Sequence, residues 1–210
     1  MRLYFFPVAP NPTRVLLYLS LKAAAGTAIP LERVRVDLRK GEQKSPEHLA
    51  RNPFGRLPVL ELDDGTCLTE SRAIMGYLEE LYPEPNLIGA SPKERAQVME
   101  VERIAEQGVL YATARIVHAK ASPLGLPANP AVVEFYEPRL ARTLEILEAW
   151  MSDGRPFLAG ASPTVADCTM LAGLNFGRLA KLSLDPALQR LCAWEHSFRQ
   201  RPEVARVLGP

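Results

Sequence analysis

The chain has 210 residues, 47% of them hydrophobic, with 25 Lys and Arg against 24 Asp and Glu for a formal charge of +1. That content is ample for buried cores in one large or two small domains, and the charge balance excludes a broad basic surface for nucleic acid or anionic membrane. The three cysteines, Cys67, Cys168 and Cys192, lack C-x-x-C or zinc spacing, which argues against a disulfide framework or a metal site and for a reducing compartment.

MRLYFFPV opens directly as a strand (2–6), without a basic leader and long apolar core. No segment reaches the roughly 18 apolar residues of a membrane span, so a cytoplasmic protein is expected. Five helix starts pair a capping residue with proline: Asn11-Pro12, Ser45-Pro46, Ser91-Pro92, Asn129-Pro130 and Asp185-Pro186. The first two place helices at 12–24 and 46–51 on either side of a strand at 31–37. Residues 52–81, NPFGRLPVLELDDGTCLTESRAIMGYLEEL, then supply a strand (Leu57 to Leu62), a turn at Asp63-Asp64-Gly65, a second strand and a helix from 71 to 81. The resulting order, βαβαββα over residues 1–82, is a thioredoxin-like layout. Pro83-Glu84-Pro85-Asn86 is a stiff connector within a linker at 83–90. From 91 to 210 the apolar period is helical, with helices at 92–120, 130–152, 164–180 and 187–199 and a last turn from Pro202. In FLAGASPTVADC, Thr164 and Asp167 have the spacing of a capping box. The fold class is therefore α/β plus all-α.

Pro58 removes a ladder donor from its strand, so it fits only at the strand's first residues or an edge. A cis Leu57-Pro58 bond turns both backbone groups of Leu57 outward, free for a peptide-like ligand. Just beyond, Glu70 offers a carboxylate to an ammonium, while the Ser71 hydroxyl and the open N–H groups of the helix start can hold a carboxylate. Either the pair is only a helix cap, or it grips an amino-acid head group on a short peptide stem. Glutathione is such a ligand.

The run GEQKSPEHLARNPFGRLPVLELDDGTCLTESRAIMGYLEELYP resembles the first domain of cytosolic glutathione transferases, nearest the phi-like and nu-like members. FLAGASPTVADC is similar to the marker of their second domain, so the resemblance covers the whole chain. It implies an enzyme with glutathione as co-substrate and no metal, whose bound thiolate attacks a small hydrophobic electrophile. Two other readings stay open: a glutathione-dependent disulfide or hydroperoxide reductase, and a non-catalytic glutathione- or ligand-binding protein.

The resemblance also distributes roles. Aligned with the tyrosine-type and serine-type members, this sequence has Phe5 and Ala9 where their hydroxyl donors stand, and the loop APNPTRV has no thiol. Asn11, an amide that nu-like members share, remains as the catalytic donor; the alternative is that it caps the first helix, and both can hold. Tyr4 and Thr13 are the other nearby hydroxyls. Gln43 and Lys44 occupy the positions of the glycine-end pair of phi-like members, with Arg56 beside them, so the glutathione set is Gln43, Lys44, Arg56, Leu57, Pro58, Glu70 and Ser71. The second-substrate pocket falls to Ala9, Pro10, Tyr111 and Arg115, the last two recurring with Gln107 at i, i+4, i+8; an ordinary half-buried helix face would look the same. His118 is taken as surface. Phe54 stands where several classes carry an aromatic key that enters the partner subunit, so a homodimer with Phe54 and Arg72 at its interface is expected; the alternative is that Phe54 packs under its own hairpin.

Overall fold

The computed structural model describes residues 1–209. Strand β1 (Arg2–Phe5) pairs in parallel with β2 (Glu32–Arg35) across α1 (Pro10–Ala24), and antiparallel with β3 (Val59–Glu61), which pairs with β4 (Cys67–Leu68). The sheet order is β2-β1-β3-β4. A short turn of tight helix at Glu42–Lys44 leads into α2 (Pro46–Arg51), and α3 (Ser71–Leu81) follows the hairpin. Alternation along the strands separates two faces. Leu3 and Leu60 face α1 and α3 in the main core, while Tyr4, Val36, Leu57 and Val59 form a smaller core on the other face.

The remainder is helical, as expected: α4 (Pro92–Ile104), a wide-wound segment (Ala105–Tyr111), α5 (Ala112–Ala121), α6 (Pro130–Trp150), α7 (Val165–Gly177), α8 (Gln189–Gln200) and α9 (Pro202–Leu208). Helix α7 is buried at nearly every position because it lies at the centre, with α1, α4 and α5 packed around it. Helix α1 is buried on both sides for the same reason, lying between the sheet and α7. The helix starts at Ser45, Ser91 and Asn129 are as the sequence indicates, each side chain accepting a bond from a backbone N–H of the first turn. Asp185-Pro186 is not a helix start. Asp185 accepts from Ala187 N at 2.8 Å, closing a local turn, and α8 begins only at Gln189.

The capping box before α7 does more than cap. Asp167 is fully buried and accepts from Thr164 N (2.8 Å), Thr164 Oγ1 (3.0 Å), Leu158 N (3.0 Å) and Trp194 Nε1 (2.8 Å), tying the preceding loop and α8 to one carboxylate. Burial pushes this carboxyl upward in pKa, against the pull of those four bonds. Thr164 contributes only its own contacts, so Thr164→Ala should cost about 1 kcal/mol in denaturant melts while leaving ligand affinity per folded molecule unchanged. An unaltered melt would contradict the capping role.

The connector is pinned rather than merely stiff. Lys22, with no exposed surface, sends Nζ to Tyr82 O (2.7 Å), Pro85 O (2.6 Å) and Glu79 Oε2 (2.8 Å). Glu79 in turn accepts from Tyr18 Oη and Leu87 N, both at 2.8 Å. Leu87 O accepts from Val165 N at 3.0 Å, so the chain between the sheet and the helical bundle is held from both sides.

Candidate functional site

The site is assembled where α1, α3 and the wide segment after α4 meet. Strand β1 ends at Phe5, and the loop to α1 turns through Val8, whose φ of 72° is unusual for a β-branched residue and stores about 1–3 kcal/mol of strain. The N–H and hydroxyl of Thr13 both reach Ala9 O, at 3.0 and 2.9 Å, so Ala9 is the N-cap and Pro10 the first helical residue. The expectation that Asn11 caps this helix is therefore corrected. It lies inside the first turn, where both Pro10 and Pro12 are tolerated because the amide hydrogens they lack have no intrahelical partner.

Freed from capping, the Asn11 amide oxygen accepts from the Ser71 hydroxyl at 3.2 Å. Ser71, the first residue of α3, is almost wholly buried, and its oxygen receives Arg14 Nε at 2.8 Å. A guanidinium only donates, so Arg14 donates to Ser71; the amide is turned with Oδ1 toward Ser71, whose hydroxyl donates to it. The Asn11 NH₂ is left without a partner among the described residues.

Arg14 is itself 1% exposed, and its remaining nitrogens bond Glu102 Oε1 (3.1 Å) and Glu106 Oε1 (2.6 Å) from the helical bundle. Glu102 also meets Arg72 Nε at 3.3 Å and accepts from Thr169 Oγ1 at 3.0 Å. Burial raises the Glu102 carboxyl, with Arg14 and Arg72 opposing. Burial works on Glu106 in the same sense, but Arg14 and Arg103 outweigh it and hold that carboxyl below its ordinary range. Arg14, Glu102 and Glu106 were not singled out from the sequence. Nothing local marks them, since their partners lie 57 to 92 residues away along the chain.

The other candidates fall around this centre. The Leu57–Pro58 bond is cis, and no hydrogen bond among the described residues uses the Leu57 N–H or C=O. The carbonyl of Arg56 is taken by His48 Nε2 (3.1 Å) and Asn52 Nδ2 (3.0 Å), which fixes the loop against α2. Gln43 is buried with its Oε1 unpartnered, while Lys44, Arg56 and Glu70 are exposed and have no ion-pair partner among the described residues. Glu70 precedes α3 without a side-chain cap bond, so its carboxylate is free. Tyr4 and Thr13 are spent: Tyr4 donates to Glu61 at 2.7 Å on the other sheet face, and Thr13 donates to Ala9 O.

The helix widens over Ala105–Tyr111, the stretch that carries Glu106, in a winding in which each N–H reaches five residues back. This breaks the simple i, i+4, i+8 relation expected from Gln107. Tyr111 and Arg115 still meet, with the Arg115 guanidinium 4.6 Å over the Tyr111 ring and bonded to its hydroxyl, whereas Gln107 is separated from them by the wide turn. Ala9 and Pro10 lie half-exposed at the start of α1. His118 is not a surface residue: it is half-buried against Phe176 (5.7 Å), bonds Ser122 Oγ at 3.0 Å, and burial lowers its pKa. Phe54 is 73% exposed rather than packed under its hairpin, and Arg72 is tethered to Glu102 within its own chain.

No helix among the described residues is long and apolar enough to cross a membrane, and no group of three or more His, Cys, Asp or Glu side chains there is placed to hold a metal. Residues 1–80 match the family model described as the glutathione S-transferase N-terminal domain, and residues 112–202 match its C-terminal domain. The chain is 33% identical to glutathione S-transferase 2 of Saccharomyces cerevisiae, over 99% of this chain and 89% of that protein. It is 31% identical to glutathione S-transferase 3 of Zea mays, over 100% of this chain and 93% of the other. Among solved structures, Gtt2 of Saccharomyces cerevisiae superposes with a TM-score of 0.88 at 33% identity, covering 99% of this chain and 100% of that one. A glutathione S-transferase domain-containing protein of Marinobacter aquaeolei also gives 0.88, at 35% identity, covering 97% and 100%.

Proposed function

The chain belongs to the glutathione S-transferase family and is an enzyme of that class, using glutathione as co-substrate; from this we propose that Asn11 is the group that stabilises the bound thiolate. The observation that carries the reading is the chain Arg14–Ser71–Asn11, which engages the amide oxygen and leaves the NH₂ free to donate. The start of α1 adds the positive end of its dipole at the same place. Together they favour loss of the thiol proton to solvent, after which the sulfur forms a bond to an electrophilic carbon and the leaving group departs with its electron pair.

Glutathione's γ-glutamyl end is assigned to Glu70 and the Ser71 start of α3, its peptide stem to Leu57 and Pro58, and its glycine carboxylate to Gln43, Lys44 and Arg56. The unpaired charges of Glu70, Lys44 and Arg56 support that polarity, since each is available without breaking an existing ion pair. The electrophile, a small hydrophobic molecule, is assigned to the space between Ala9-Pro10 and Tyr111-Arg115. A homodimer is proposed with Phe54 as the key and Arg72 at the interface, the 73% exposure of Phe54 leaving its ring available to a pocket on a partner subunit.

Calorimetry tests the site. Ser71→Ala should weaken glutathione binding by about 1–3 kcal/mol, because it strips the buried Arg14 Nε of its acceptor and removes the donor that holds Asn11, loosening the start of α3 whose backbone N–H groups receive the γ-glutamyl carboxylate. Glu70→Gln should weaken it as well. Equal affinity for the wild type and both variants would overturn the assignment.

A further inference from the structure

The helical run that carries Tyr111 and Arg115 meets α6 across a contiguous row of aromatic rings. Tyr111 lies edge-on to Tyr136 at 6.3 Å between centroids, and Tyr136 edge-on to Phe135 at 5.0 Å. The wide turn sets up the first contact. It brings Gly108 so close to α6 that a Cβ there would fall 2.5 Å from Thr143 Cγ2, and Tyr111 closes the turn beside Tyr136. Tyr136 is anchored against the core, whereas Tyr111 and Phe135 are 45% and 50% exposed.

A guanidinium covers each end of the row, Arg115 at 4.6 Å over Tyr111 and Arg139 at 3.6 Å over Phe135. Their hydrogen bonds go to the Tyr111 hydroxyl and the Phe135 carbonyl, and neither has a carboxylate partner among the described residues. The acids of the surrounding elements are turned elsewhere. Helix α5 contains none. Glu106 is held by Arg14 and Arg103, Glu137 by Lys120, and Glu145 by Arg142. Glu134 is unpaired, but at about 100° per residue it stands roughly 160° around α6 from Tyr136. The row is an aromatic surface with two uncompensated cations.

Given the assignment of Tyr111 and Arg115 to the electrophile, we propose that this row selects an aromatic electrophile carrying a carboxylate or similar acidic group, its ring against Tyr111 and Tyr136 and its anion on Arg115. A neutral ring laid here would strip water from the guanidinium and return nothing, whereas an anion restores a charge-assisted pair. Flat rings also match the rings that receive them. For an aryl halide the glutathione sulfur, its proton already lost to solvent, forms a bond to the halogen-bearing carbon. The carbon–halogen bond breaks and halide leaves with the electron pair, while the acidic group is unchanged.

The test pairs 4-chloro-3,5-dinitrobenzoate with its neutral amide, each rate referred to the uncatalysed reaction with glutathione. The wild type should prefer the acid in kcat/KM, with that preference reduced about tenfold in Arg115→Gln and less in Arg139→Gln. Calorimetry with the glutathione conjugates of both compounds should show the same preference without turnover. Lys93→Gln, which removes an exposed cation at the far end of the helical run, should leave it unchanged. Glutathione binding of each variant establishes that it is folded. Equal values for acid and amide in both measurements, with glutathione still bound, would overturn the proposal alone; failure to bind glutathione would remove the site and the proposal together. An equal loss in Lys93→Gln would overturn it by showing diffuse charge attraction only. A changed subunit association of Phe135→Ala in sedimentation would overturn it by showing that a second copy of the chain covers the row.

Discussion

Replacing Glu79 by alanine should cost about 3–5 kcal/mol of folding stability, a loss that few single substitutions reach. The carboxylate is nearly without solvent contact and satisfies three donors at once: Lys22 Nζ, Tyr18 Oη and Leu87 N. Its removal leaves a buried ammonium held only by the carbonyls of Tyr82 and Pro85, together with an unpaired hydroxyl and an unpaired amide. Each of those is a group that water can no longer reach. Lys22→Met in the Glu79→Ala background should recover part of the loss by removing the stranded charge, but not the Leu87 amide, which keeps the connector loose. Urea unfolding of the wild type and the two variants measures both effects. A loss below about 1 kcal/mol in Glu79→Ala would mean that the buried pair contributes little and that the connector is held by packing alone.

The second large effect concerns chemistry. Asn11→Ala should lower turnover by about a hundredfold and raise the thiol pKa of enzyme-bound glutathione, since loss of one well-placed donor to a developing anion has consequences of that size. Asn11→Asp is the sharper variant. It retains an oxygen for the Ser71 hydroxyl, so the Arg14–Ser71 contacts and the fold should persist, yet it offers no N–H and places a negative charge beside the sulfur. The sign follows from electrostatics: a neighbouring anion disfavours thiolate, so the pKa should rise further than in Asn11→Ala. Thiolate absorbance of bound glutathione against pH reads this directly. Superimposable titrations for the wild type, Asn11→Ala and Asn11→Asp would show that Asn11 is not the donor and would transfer the role to backbone N–H groups at the start of α1.

Where a structural choice depended on groups a few residues apart, the sequence alone determined it. Ser45, Ser91 and Asn129 cap their helices because the acceptor and the N–H it serves are three residues apart, and the Thr164/Asp167 box before α7 follows the same logic. Two sheet faces were legible from the alternation of Leu3, Tyr4 and Phe5, and the hairpin from its turn. Tertiary structure decided the cases in which a local signal had a distant competitor. Asn11 carries the same cap-and-proline signature as Ser45, but Ala9 takes the cap and Ser71, 60 residues on, claims the amide oxygen. Arg14 stands in an apolar helical run where no neighbour reveals that it will be buried between Glu102 and Glu106. The widened turn at Ala105–Tyr111 arises among packed helices, with Gly108 meeting Thr143 and Gly173 meeting Leu110. A capping bond stabilises by about 1 kcal/mol, whereas a buried arginine left without its carboxylates loses several. Where the two compete, the long-range pairing sets the geometry, and the residues that build this site are the ones whose partners only the folded chain supplies.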